Sequence, residues 1–187
     1  GEGRSLLLSR GTGLPKRDRQ RHVVDEYMDL AVAAGADVPD AAGRYPSLRP
    51  SAAGVEERQR LFREQGLGSG LLIGLCPTSA YGPAKQWPDA HWAALARELL
   101  QRRFSVALFC ARSEMDAVAR IAAEAGGLPV LTPGLPGLAA CLQACEAVVA
   151  NDSGPLHLAA AVGTRCLGLY GQVDPRWSGP LSGRAEA

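Results

Sequence analysis

The chain has 187 residues, enough for one domain or for one domain with an attached segment. Hydrophobic residues make up 47% and charged residues 21%, the balance of a soluble globular protein that buries a core. A formal net charge of +1 excludes a bulk electrostatic pull toward nucleic acid or anionic lipid, and 5% aromatics leave too few rings for a base-stacking nucleic-acid binder.

The start, Gly1-Glu2-Gly3-Arg4, carries neither an initiator Met nor the apolar region of a signal peptide, so the sequence is expected to be a fragment. No apolar run approaches the ~20 residues that a membrane-spanning helix needs. The basic residues from Arg10 to Arg21 are interrupted by Asp18 and read as the solvated start of a helix. That helix is expected from Asp18 to Ala34, with Val23, Tyr27, Leu30 and Ala34 at helical spacing and Gly35 as its stop. Residues 36–53 hold three prolines and read as a linker, and a short helix from Val55 to Gln65 follows. Gly66 to Gly70 is a flexible lead-in, and because it precedes its strand it fails as a dinucleotide fingerprint.

From Leu71 a regular alternation begins. Leu71–Cys76 reads as a buried strand, and Asp89 as the cap of a helix with an apolar stripe of Trp92, Leu95, Ala96, Leu99 and Leu100. Val106–Cys110 is the second strand, and Ser113-Glu114-Met115-Asp116 resembles a capping box ahead of a helix that buries Val118, Ile121, Ala122 and Ala125. Pro129–Leu131, Ala147–Ala150 and Cys166–Tyr170 are the remaining strands. Leu138–Cys145 and Pro155–Val162 are the remaining helices. Strands alternating with helices predict an α/β domain with a Rossmann-like parallel sheet covered on both faces, spanning about residues 70–172.

Ligands of such sheets bind at the carboxyl ends of the strands, and three of those ends carry polar residues. After the first strand, Thr78 and Ser79 with Lys85 could cradle a pyrophosphate, although GxxxxGK[ST] is absent. After the second, Glu114 could accept from a ribose hydroxyl or simply favour a helix start. After the fourth comes Asn151-Asp152-Ser153-Gly154-Pro155-Leu156-His157. Here an apolar run stops and a helix opens; Asp152 or Ser153 can cap its amides, and His157, four residues after Ser153, can face the same mouth. Asp152, Ser153 and His157 are too close in sequence, and lack the GxSxG elbow, to act as a hydrolase triad. His91 reads as an exposed or satisfied histidine.

The five cysteines, Cys76, Cys110, Cys141, Cys145 and Cys166, form no CxxC pair and read as buried, reduced thiols. Cys141, Cys145 and His157 could sketch a zinc site, but spacing places no fourth ligand, so no metal is expected.

Several of these pieces occur together: Tyr81-Gly82-Pro83-Ala84-Lys85-Gln86-Trp87-Pro88, then His91-Trp92, then Asn151 through Ala161, then Leu169-Tyr170-Gly171, Asp174-Pro175 and Gly179-Pro180-Leu181. In this order and spacing the chain resembles the ADP-heptose–lipopolysaccharide heptosyltransferases of glycosyltransferase family 9, the heptosyltransferase II type above all. The resemblance implies a GT-B-type architecture of two Rossmann-like domains, with the carboxy-terminal, nucleotide-sugar-binding one present here. On that basis residues 70–187 are the donor-binding domain, truncated at its end. Residues 1–69 are then the connection from a missing amino-terminal domain.

The implied reaction is inverting, metal-independent transfer of heptose from ADP-L-glycero-D-manno-heptose to the lipopolysaccharide inner core, with no cofactor. By the same resemblance Thr78, Ser79 and Lys85 hold the pyrophosphate, and Lys85 stabilises the departing ADP. Glu114 receives the ribose or adenine side, and Asp152, Ser153, Gly154 and His157 bind heptose and phosphates. The implied location is cytoplasmic, with peripheral contact at the inner face of the cytoplasmic membrane left open.

The sequence departs from the family at Gly171-Gln172-Val173, where Gly-Pro and a small polar residue are usual. It also holds no counterpart of the family's candidate base, an Asp near the start of the amino-terminal domain. Three alternatives stay open: a GT-B glycosyltransferase with another nucleotide sugar, a sugar-nucleotide epimerase of similar fold, and a stand-alone nucleotide-binding module.

Overall fold

Short apolar runs bounded by polar turns build the sheet, and the alternation of side chains along them decides which face each residue serves. In the computed structural model, residues 21–37, 45–68, 70–79, 82–182 and 185–186 are described. The expected helix start at Asp18 and the motif residue Tyr81 lie outside them. Among the described residues six strands, β1 (Leu72–Cys76), β2 (Ser105–Phe109), β3 (Val130–Leu131), β4 (Ala147–Asn151), β5 (Arg165–Leu169) and β6 (Ala185–Glu186), form one sheet in the order β3-β2-β1-β4-β5-β6. All five pairings are parallel. The Rossmann-like α/β expectation holds. The two-residue β6 carries no apolar run and was not foreseen.

Along β1, Leu72 and Cys76 join a core layer with Phe109, Val148 and Ala150. Ile73 and Leu75 join a second layer on the other side. Helices α3 (Asp89–Gln101) and α4 (Met115–Glu124) close the second layer with Trp92, Ala96, Val118 and Ile121. Helices α5 (Leu135–Gln143) and α6 (Gly154–Ala161) close the first with Cys141, Leu142, Leu156 and Ala159. A strand buried on both faces needs a near-continuous apolar run, and β1 is buried at all five positions.

Capping explains most of the boundaries that differ from expectation. Helix α2 (Ala52–Glu64) starts three residues early because the Ser51 hydroxyl accepts from the Gly54 amide at 3.2 Å. Helix α5 starts at Leu135, not Leu138, because Glu57 of α2 accepts from the Gly134 amide at 2.9 Å. Asp89 is not a cap: it is the first residue of α3, after Pro88, where its charge still suits the helix dipole. Ser113 does not open a capping box either. The Glu114 carboxylate accepts from the Ala111 amide at 3.0 Å and closes a 3-10 turn ahead of α4. Leu100 lies off the buried stripe of α3, at 39% exposure.

Helix α1 (Val23–Ala33) lies within the expected helical span. The stripe of Tyr27 and Leu30 does not enter a core, with exposures of 63% and 43%, and no residue of α1 is buried. The helix is tied down at its start: His22 Nδ1 accepts from the Val24 amide at 3.2 Å, and its Nε2 lies 2.8 Å from the carbonyl oxygen of Gly179. Gly179 ends α7 (Pro175–Ser178), a one-turn helix that the sequence reading did not place.

Gly168 in β5 permits a close approach. A Cβ there would stand 2.5 Å from the Tyr170 ring and 2.7 Å from a Leu156 methyl. Gly168→Ala is therefore expected to destabilise the chain by about 1–3 kcal/mol through overpacking, read as a lowered midpoint in thermal or urea unfolding.

Candidate functional site

The strand order reverses between β1 and β4. In open parallel sheets the crevice outside the strand ends at such a point is where ligands bind. Two segments meet there. From β1 the chain passes Pro77-Thr78-Ser79 and returns through a 3-10 turn, Pro83–Lys85, to Trp87 and α3. From β4 it passes Asn151-Asp152-Ser153 into α6.

Asn151 joins the two. Its side chain is fully buried; Nδ2 donates to the Pro77 carbonyl at 2.6 Å, and Oδ1 accepts from the Trp87 amide at 3.1 Å. One amide thus pins both ends of the loop that carries Thr78, Ser79 and Lys85. Asn151 stands in the predicted turn without a site role assigned from the sequence. Its only signal was an amide, able to donate and accept at once, at the end of an apolar run.

The predicted site residues fall into two groups. Thr78, Ser79, Glu114, Ser153 and Gly154 line one cavity of about 400 Å3, together with Cys110, Pro133, Leu135 and Leu138. Thr78 donates its hydroxyl to Glu114 at 2.9 Å. The Ser79 hydroxyl is buried and has no hydrogen-bond partner among the described residues. Such orphans are rare in native folds and call for a ligand or water.

Lys85 and Asp152 form the second group, an ion pair of 2.5 Å with side-chain exposures of 23% and 9%. His157 is held apart from the cavity. It lines a neighbouring groove of about 430 Å3 with Pro46, Leu158 and Leu181. Burial chiefly pushes its pKa below the usual imidazole value; His22 and Lys85 push the same way, and Asp152 opposes them.

The expected cap of α6 does not form. Asp152 spends its carboxylate on Lys85, and the Ser153 hydroxyl donates to the Asn151 carbonyl at 3.0 Å, which also removes it from any nucleophilic role with His157. No side chain caps the helix start among the described residues. Pro155 has no N–H and the Leu156 amide donates to the Ser153 carbonyl at 3.1 Å, so the Gly154 amide and the positive dipole end are what α6 offers an anion at the cavity wall.

Tyr170 follows β5, with its ring against Gly168 and its hydroxyl beside Gly179. Its buried hydroxyl has no partner among the described residues, and its pKa is pushed up to about 12 by burial, then by Asp152 and Cys166. The next residue, Gly171, sits against the turn of Lys85: a Cβ there would lie 3.5 Å from the Ala84 carbonyl oxygen. His91 is exposed and stacks on Trp87 with ring centroids 5.2 Å apart.

The cysteines are free thiols, four of them buried, and burial raises all five; Cys110, at the cavity wall, reaches about 11. None is a ready nucleophile at neutral pH. Among the described residues no group of three or more His, Cys, Asp or Glu side chains is gathered as metal ligands would be.

The family described as Glycosyltransferase family 9 (heptosyltransferase) matches residues 3–187. Lipooligosaccharide heptosyltransferase 2 of Haemophilus influenzae is 35% identical over 99% of this chain and 56% of its own length. Among solved structures, E. coli ADP-heptose LPS heptosyltransferase II superposes with a TM-score of 0.68 at 30% identity, over 84% of this chain and 51% of that one. A glycosyl transferase family 9 protein of Veillonella parvula gives a TM-score of 0.80 at 26% identity, over 92% and 49%. The chain spans about half the length of the curated relatives it matches.

The Asn151 tie has a direct check. Asn151→Ala leaves the Pro77 carbonyl and the Trp87 amide without partners, an expected loss of about 1–3 kcal/mol. Amide exchange at Trp87 should accelerate well beyond that of the β2 amides; unchanged exchange at Trp87 would show that the loop is held elsewhere.

Proposed function

The chain belongs to glycosyltransferase family 9, the heptosyltransferase family, and on that premise we propose that it is the donor-binding half of a lipopolysaccharide core heptosyltransferase. The donor in this reading is ADP-L-glycero-D-manno-heptose. The observation that carries it is the cavity at the strand-order reversal, where an uncapped helix start and an orphan serine hydroxyl meet beside a lysine.

The diphosphate sits against the start of α6 at the Gly154 amide, within reach of Thr78 and Ser79. Glu114, already fixed by the Ala111 amide, presents its carboxylate to a ribose hydroxyl. Pro133, Leu135 and Leu138 supply an apolar wall suited to a flat base. Asp152, Gly154 and His157 face the heptose side.

Transfer breaks the bond between the anomeric carbon and the diphosphate oxygen, and negative charge grows on the departing ADP. A preorganised cation and oriented amides stabilise that charge more than they stabilise the bound donor, which lowers the barrier. Lys85 and the start of α6 take this role here. Activation of the acceptor hydroxyl, inversion at the anomeric carbon and contact with the lipopolysaccharide core belong to the partner domain. Catalysis in this reading uses no metal ion.

Residues 70–187 form the nucleotide-sugar-binding unit, and residues 1–69 lead into it from the acceptor side, with α2 seated on α5. The reading places the protein in the cytoplasm at the inner membrane face. Among the described residues no helix is long and apolar enough to cross a membrane.

Titration calorimetry of this chain with ADP tests the proposal. Binding is expected. Lys85→Ala should weaken it at least about tenfold, since a charge-assisted contact contributes about 1.5–3 kcal/mol. A folded chain that binds neither ADP nor ADP-heptose would sink the reading. Preference for a UDP- or GDP-sugar would instead assign the fold to a different glycosyltransferase.

A further inference from the structure

The cation placed for the diphosphate is already neutralised from within the chain. Lys85 Nζ stands 2.5 Å from Asp152 Oδ2, and only 9% of the Asp152 side chain is exposed. The Asp152 backbone is held in the sheet, because its amide donates to the Leu169 carbonyl at 3.1 Å and continues the β4–β5 ladder. Any anion that engages Lys85 therefore comes close to a fixed, poorly hydrated carboxylate. Like charges in such a place repel unless hydrogen-bond donors take up the carboxylate.

Among the described residues Lys85 is the one side chain that donates to this carboxylate. His157 feels Asp152 but is held toward its neutral form by burial, so it adds no full countercharge. Tyr170 feels Asp152 as well, but its buried hydroxyl makes no hydrogen bond to that carboxylate. A nucleoside diphosphate alone takes the ammonium from Asp152 and returns nothing to the carboxylate. A nucleotide sugar takes the same ammonium but brings hydroxyl donors directly beyond its second phosphate.

We propose that Asp152 discriminates substrate from spent product: as the counter-ion of Lys85 it disfavours ADP and is satisfied only when a sugar hydroxyl arrives with the diphosphate. This inference rests on the donor reading above. It adds that the site is tuned against the nucleotide it releases, so loss of the sugar to the acceptor itself loosens the remaining ADP.

Calorimetry of the 187-residue chain with ADP and with ADP-heptose tests it. The unaltered chain should bind ADP-heptose more tightly than ADP; equal or tighter ADP binding overturns the proposal without any variant. Asp152→Asn removes the charge and keeps the shape. It should bind ADP about three- to tenfold more tightly than the unaltered chain, and the preference for ADP-heptose should shrink by a similar factor. If Asp152→Asn weakens both ligands alike, Asp152 merely positions Lys85 and the inference fails. If the unaltered chain binds neither ligand, the donor reading itself fails.

Discussion

One buried carboxamide holds the working edge of this molecule in shape. The loop between β1 and α3 carries Thr78, Ser79 and Lys85, yet it contains no long regular element of its own. Its two ends are fastened by the same side chain, Asn151, through the Pro77 carbonyl and the Trp87 amide. Asn151 in turn is the last residue of β4, in register with Leu169 of β5. The loop therefore inherits its position from the most rigid part of the fold, the centre of a parallel sheet. A lysine on a flexible stem needs such a frame if it is to meet a developing charge, because misplacement by even an ångström erodes electrostatic stabilisation.

Much of the fold was legible because each layer repeats its signal locally. The apolar runs of β1, β2 and β4 and the stripes of α3 and α4 announce themselves within five to thirteen residues. The details that failed depend on partners far away in sequence. Asp152 and Ser153 are good capping residues in isolation, but Lys85, 67 positions away, outcompetes the helix for Asp152. The start of α5 is set by Glu57, 77 positions before Gly134. The apolar stripe of α1 has helical period, but period reveals only that one face is apolar, not that something covers it.

The site was legible to a similar degree and for a similar reason. Residue types at three strand ends pointed to an anion, and those strand ends do converge: Thr78 meets Glu114, and Lys85 meets Asp152. The division of that edge into a cavity and a separate ion pair was not visible in the chain order. Neither was the displacement of His157 toward an apolar groove, which follows from where the first turn of α6 points. Asn151 escaped because its importance lies wholly in two backbone atoms that only the folded chain brings near.

The arrangement around Trp87 has an optical consequence. Its backbone amide hangs on Asn151, while its ring stacks on His91 at 5.2 Å and meets the edge of buried Trp92 at 5.4 Å. The emission of this indole is thus coupled to a ring that can carry charge and to a neighbour fixed in the core. Any movement that unfastens the loop changes both couplings together. Trp87 is one of three tryptophans, and its share of the unlabelled emission changes when the lysine-bearing loop leaves its place.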